Sequence, residues 1–113
     1  MPYLTVYTNA DINNAAELAE KASLLTAEVL HKPVGYVIAN IIHNPAMAHG
    51  GSAKNKGALI ELKSIGFGDK DKAVFELTNF FAKELGITQT QYINISLIDC
   101  PAAYTASAGR TFG

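Results

Sequence analysis

Proline at position 2 is the residue whose type and place most directly suggest chemistry. Met1 ahead of a small residue is ordinarily removed in cells. Its removal would make Pro2 an N-terminal secondary amine, able to take up a proton and give it back. An α-amine titrates at about 8 in the open, and burial or a nearby positive charge disfavours its charged form. Lowering such an amine from about 9 to about 6 raises its free-base fraction at neutral pH from about 1% to about 90%. The plain alternative is a proline that merely begins the chain. Lys32 is the second candidate. It can bind an anionic group, or it can simply answer the dipole at a helix C-terminus.

Other chemistry-bearing types carry weaker patterns. His31, His43 and His49 show neither ligand spacing nor an accompanying carboxylate pattern, so no metal site is expected. Gly50-Gly51-Ser52-Ala53-Lys54-Asn55-Lys56-Gly57 looks like a phosphate loop at first sight. It lacks the G-x-x-x-x-G-K-S/T spacing and no helix pattern follows, so it reads as an ordinary loop. Ser64 has no His-Asp partnership visible in the sequence. Cys100, before Pro101, reads as a core thiol.

The elements that must position these residues follow from periodicity. Residues 2–8 are rich in β-branched and aromatic types and predict a strand. Cap-forming residues in Asp11-Ile12-Asn13-Asn14 precede Ala15, Leu18, Ala19, Ala22, Leu25 and Val29 at helical spacing, and Lys32-Pro33 ends that helix. Tyr36 to His43 predicts a second strand. Pro45, Gly50, Gly51 and Gly57 mark 44–57 as a loop. The plan then repeats. A strand is expected from Ala58 to Ile65, then a turn with Asp69 or Asp71 as cap. A helix striped by Val74, Leu77, Phe81 and Leu85 stops at Gly86. A last strand runs from about Tyr92 to Ile98, and a small-residue tail closes the chain.

The fold class is therefore α/β: two β-α-β units, about 2–43 and 58–99, with pseudo-twofold symmetry inside one domain spanning 1–113. Right-handed crossovers and parallel strand pairs are expected within each unit. Two helices cover one face of a four-stranded sheet. Yet Val37, Ile38, Ile41 and Ile42 put apolar groups on both faces of one strand. Either a homo-oligomer packs sheet faces together, or the 44–57 loop and the tail cover the second face.

Composition narrows the function. The 113 residues are 49% apolar and 17% charged, which suits a packed core and not a disordered chain. A formal charge of −1 argues against a nucleic-acid partner held by a basic surface. One cysteine cannot form an internal disulfide. No 18-residue apolar run predicts a transmembrane helix. No signal peptide is read at Met1-Pro2-Tyr3-Leu4, so the expected location is cytoplasmic.

Taken in order, several pieces resemble the macrophage migration inhibitory factor (MIF) family of the tautomerase superfamily. They are Met1-Pro2 before a strand, Thr8-Asn9, Lys32-Pro33-x-x-Tyr36, Pro45-x-Met47-x-x-Gly50-Gly51-Ser52, Ser64-Ile65-Gly66, Tyr92-Ile93-Asn94 and Thr111-Phe112. The resemblance covers nearly the whole chain. It implies a homotrimer whose sheets form a central barrel. It also implies a cofactor-free keto–enol tautomerase (an isomerase) acting on phenylpyruvate-type 2-oxo acids and dopachrome-like compounds. It places the catalytic base at Pro2, an anion-binding group at Lys32, and Ser64 with the Ile65 backbone N–H beside the substrate. Tyr36 and Phe112 match pocket-wall aromatics. Tyr92 and Asn94 match residues contributed by a neighbouring subunit, although an ungapped match from the C-terminus assigns Asn94 and Ser96 instead. Members also act as cytokine-like ligands, secreted without a signal peptide and recognised by a protein receptor. That leaves a binding protein with a weakly active or vestigial pocket as the other reading.

Two departures matter. The family's Trp-Asn-Gly-Ser-Thr-Phe ending reads Ser107-Ala108-Gly109-Arg110-Thr111-Phe112 here, and the chain has no tryptophan. Where some members carry Cys-x-x-Cys, this chain has Gly57-Ala58-Leu59-Ile60, so thiol–disulfide activity is not implied.

Overall fold

The computed structural model describes all residues, 1–113. Strand β1 spans Pro2–Thr8, helix α1 Ala15–Leu30 and strand β2 Ile38–His43. Strand β3 spans Ala58–Ser64, helix α2 Lys70–Leu85 and strand β4 Ile93–Asp99. The sheet order is β2-β1-β3-β4. Strands β1 and β2 are parallel, as are β3 and β4, and the two units join through an antiparallel β1–β3 pair. The two β-α-β units are thus as expected, and the antiparallel seam between them is the new information.

Local chemistry sets the helix ends. Asn14 Oδ1 accepts the Glu17 N–H at 3.1 Å and caps α1. Of the two candidates for α2, Asp69 is the cap, accepting from the Lys72 N–H at 3.0 Å. Gly86 ends α2 in the left-handed region, φ 66°. His31 ends α1 in the same conformation, φ 53°, without glycine's freedom. The chain then turns sharply, and the Lys32 N–H donates to Ala27 O at 3.0 Å.

Two expected boundaries are corrected. Tyr36 and Val37 do not belong to the second strand. After Pro33, residues Val34–Tyr36 form a 3-10 turn, and the Val37 N–H bonds back to Val34 O at 3.0 Å. Likewise Tyr92 lies in a 3-10 turn (Thr90–Tyr92) ahead of β4. Nor is the tail featureless. A 3-10 turn at Ala102–Tyr104 leads into a small hairpin of β5 (Ala106–Ser107) and β6 (Arg110–Thr111).

Register sorts the two faces of the sheet. Toward the helices lie Ala39, Leu4, Leu62 and Leu97 in one rank and Ile41, Val6, Ile60 and Ile95 in the next. These join Leu77 and Phe81 of α2 and Leu18 and Ala22 of α1 in the core. The other face carries Ile38, Tyr3, Lys63 and Ile98, then Asn40, Thr5, Glu61 and Ser96, then Ile42, Tyr7, Leu59 and Asn94. None of these is buried. Ile38 is 59% and Leu59 45% exposed. The reading in which the 44–57 loop and the tail cover this face is therefore wrong. The loop is instead tied to the end of β1, where Asn9 Nδ2 donates to Met47 O (3.1 Å) and Asn55 O (2.9 Å).

Candidate active site

The site lies at the end of the sheet where β1 begins and β3 finishes. Antiparallel pairing sets Pro2 directly opposite Ser64, and both are buried on the helix side of the sheet. Ser64 is 0% exposed, and its Oγ has no hydrogen-bond partner. Its carbonyl accepts the Cys100 N–H at 2.8 Å. The next residue turns away from the strand, and the Ile65 carbonyl accepts a hydrogen bond from Lys32 Nζ at 2.8 Å. An ammonium has three donors, so this bond leaves Lys32 capacity for an anion. Asp99 Oδ1 accepts the Gly66 N–H at 3.1 Å and holds the turn from the β4 side. Thus Pro2, Lys32, Ser64 and Ile65, which are distant in sequence, share one corner.

A shallow cavity of about 110 Å³ opens beside them, lined by Met1, Tyr3, Gly35, Tyr36, Val37, Ile38, Ser107 and Phe112. Tyr36 and Phe112 thus meet across one mostly apolar hollow. Tyr36 is delivered by the 3-10 turn that follows Pro33. Phe112 is delivered by the tail, where its N–H is shared between Ala102 O (3.1 Å) and Thr105 O (2.9 Å). Met1, 7% exposed, forms part of the wall of the hollow. Burial first, and then the charge of Lys32, hold the Met1 ammonium below the usual range of an α-amine.

Tyr92 and Asn94 stand apart from this corner. Asn94 pairs with Leu59, which pairs with Tyr7, five residues along β1 from Pro2. That is about 17 Å along the strand direction. Tyr92 sits under the 44–57 loop, where its hydroxyl accepts from Asn55 Nδ2 at 3.3 Å and its ring lies 6.1 Å from that of His49. Within one chain neither residue reaches Pro2. Sequence reasoning missed Gly35, Ser107 and Asp99. The first two become neighbours of the hollow only through the unforeseen 3-10 turn and hairpin. Asp99 could have been found only from the strand register. No group of three or more His, Cys, Asp or Glu is placed to hold a metal ion, and no helix is long and apolar enough to cross a membrane.

Paired β-α-β units joined by an antiparallel seam, with Pro2, Lys32, Ser64 and Ile65 at one corner, define a single α/β domain. A family model described as "Macrophage migration inhibitory factor (MIF)" matches residues 1–113. A MIF homolog from Brugia malayi is 36% identical over 117 aligned positions, covering 100% of both chains. The crystal structure of a MIF homologue from Prochlorococcus marinus superposes with a TM-score of 0.87 at 29% identity, covering 98% of this chain and 99% of that one. A MIF-like protein from Entamoeba histolytica shares the fold with a TM-score of 0.87 at 22% identity, covering 98% of each chain. The chain belongs to the macrophage migration inhibitory factor family.

Proposed function

We propose that the protein is a cofactor-independent keto–enol tautomerase of phenylpyruvate-type 2-oxo acids, working as a homotrimer after loss of Met1. The observation that carries this reading is the corner itself. It is a buried site for an α-amine, beside a lysine cation and a turn of backbone, opening on an apolar hollow with two aromatic walls. The burial and the Lys32 charge that disfavour a charged amine at Met1 act in the same sense on a free amine one residue later.

Neutral Pro2 removes a proton from the carbon next to the substrate carbonyl. The electron pair left behind moves onto the carbonyl oxygen as an enolate. The prolinium then returns the proton to that oxygen, so the enzyme ends as it began. Lys32 and the Ile65 N–H hold the carboxylate or the developing enolate charge. The Tyr36–Phe112 walls favour an aryl side chain. Tyr92 and Asn94 join the site from a neighbouring subunit, a reading supported by their separation from Pro2 within one chain and by the uncovered sheet face.

The test follows the keto–enol conversion of phenylpyruvate by ultraviolet absorbance, with protein whose intact mass shows Met1 removed. Turnover is expected and is abolished in Pro2→Gly. Full activity of Pro2→Gly overturns the reading. Absence of turnover in processed wild-type protein leaves binding, or a different 2-oxo acid substrate, as the role of the pocket.

A further inference from the structure

Ser64 poses a problem that the proposed reaction does not solve. A fully buried hydroxyl without a partner costs about 1–3 kcal/mol, and alanine at position 64 would avoid that cost. The hydroxyl is unpartnered in a chain whose Pro2 nitrogen is an amide with no hydrogen to donate. Loss of Met1 changes this one neighbour. The nitrogen becomes a secondary amine, with one N–H when neutral and two when protonated. Pro2 and Ser64 are directly paired across the antiparallel seam and lie on the same face. Opposed Cβ atoms in such a pair are about 4.5–5.5 Å apart. The serine C–O bond and the pyrrolidine ring therefore lie close together on one face of the sheet.

We propose that Ser64 is a positioning residue for the Pro2 amine, its hydroxyl accepting the N–H that the processed amine carries in both protonation states. A neutral secondary amine inverts freely between two forms. Fixing its N–H toward Ser64, on the helix side, selects the form whose lone pair faces the hollow. The second proton of the prolinium then points at the substrate. The bond is stronger to the charged amine than to the neutral one, so Ser64 also holds part of the basicity that burial and Lys32 take away. This inference rests on Pro2 being the base of the proposed reaction.

The test compares wild type and Ser64→Ala, both free of Met1 and labelled with ¹⁵N-proline. The Pro2 nitrogen is titrated by NMR, thermal midpoints are recorded, and phenylpyruvate kinetics are run across pH. In a second pair that retains Met1, where the hydroxyl is an orphan, Ser64→Ala is expected to be at least as stable as wild type. The Pro2 titration is expected to fall by about one unit. At pH values where both proteins hold a neutral amine, kcat is expected to drop about tenfold with KM little changed. An unmoved titration overturns the proposal, whatever happens to activity. So does a clear loss of thermal stability in the Met1-retaining pair, which would mean that the hydroxyl has a partner other than the Pro2 amine. If processed wild type titrates normally but turns nothing over, the tautomerase reading fails, while the difference between the two titrations still decides the Ser64 contact.

Discussion

At the scale of single residues the site is a set of competing pulls on one amine. In the proposed reaction burial and Lys32 would favour neutral Pro2, as they do the neutral Met1 amine, whereas a hydrogen bond to the protonated form would favour the charged one. Removing Lys32 therefore does two things. Lys32→Met takes away a charge-assisted contact worth about 1.5–3 kcal/mol, so kcat/KM for phenylpyruvate falls by about 10- to 100-fold. It also lets the prolinium persist to higher pH. As a base, Pro2 works above its pKa, so the rising limb of the pH–rate profile moves upward in Lys32→Met. A limb that moves down or stays put would show that the lysine charge does not act on the amine. Met1 offers a second check at this scale. A chain that retains it has an amide at Pro2 and Met1 in the wall of the hollow. Such protein is expected to be inactive, and an aminopeptidase that releases Met1 should restore turnover in step with the mass change.

At the scale of elements, the structure depends on how the end of β1 grips the loop that follows β2. Asn9 is 2% exposed and uses both ends of its amide: Nδ2 donates to Met47 O and Asn55 O, and Oδ1 accepts the Gly57 N–H at 3.0 Å. Thr8 Oγ1 adds a bond to Gly57 O at 2.7 Å. Asn9→Leu fills similar space but leaves those backbone groups unpaired, which is expected to cost about 2–4 kcal/mol on urea unfolding. Gly57 is confined from the other side, since an added Cβ would meet the Tyr92 carbonyl and approach His49 Nδ1 within 2.8 Å. Gly57→Ala is expected to destabilise by about 1–3 kcal/mol. A loss below about half a kcal/mol in either variant would show that the loop readily finds another seat. None of this grip was legible in the sequence, where 44–57 is only a turn-rich stretch. The paired β-α-β plan was legible, because period-two and period-3.6 patterns record which face of each element is buried. The 3-10 turns at Val34–Tyr36 and Thr90–Tyr92 were not, because short turns carry no period. Pro2 and Lys32 stood out as residue types, and Ser64-Ile65 entered through the family resemblance. Their meeting at one corner depends on the antiparallel seam, which no local pattern encodes.

At the scale of the whole molecule, the uncovered sheet face and the remote position of Asn94 have a common explanation in neighbouring copies of the chain. Leu59 sits on a central strand of that face, in its last rank, between Tyr7 and Asn94. Light scattering of wild type is expected to give about three times the 12.0 kDa protomer mass. Leu59→Glu places a charge where assembly would remove water, and is expected to lower the mass toward 12.0 kDa with far-ultraviolet dichroism retained. Dissociation alone does not show that the site is shared, so two inactive chains are mixed. Pro2→Gly loses the proline secondary amine but keeps Asn94, and Asn94→Ala keeps the proline but lacks the amide. If Pro2 works with the Asn94 of a neighbour, refolding the two together builds some sites from two intact halves. Random assembly at equal amounts gives about one quarter of all sites this way, because in a head-to-tail ring each site takes one half from each of two adjacent subunits. Activity of the mixture should then rise well above the mean of its parents. If both halves came from the same chain, every site would carry one defect and mixing would add nothing. The two results differ in kind as well as in size, so a simple absorbance assay on the refolded mixture separates them.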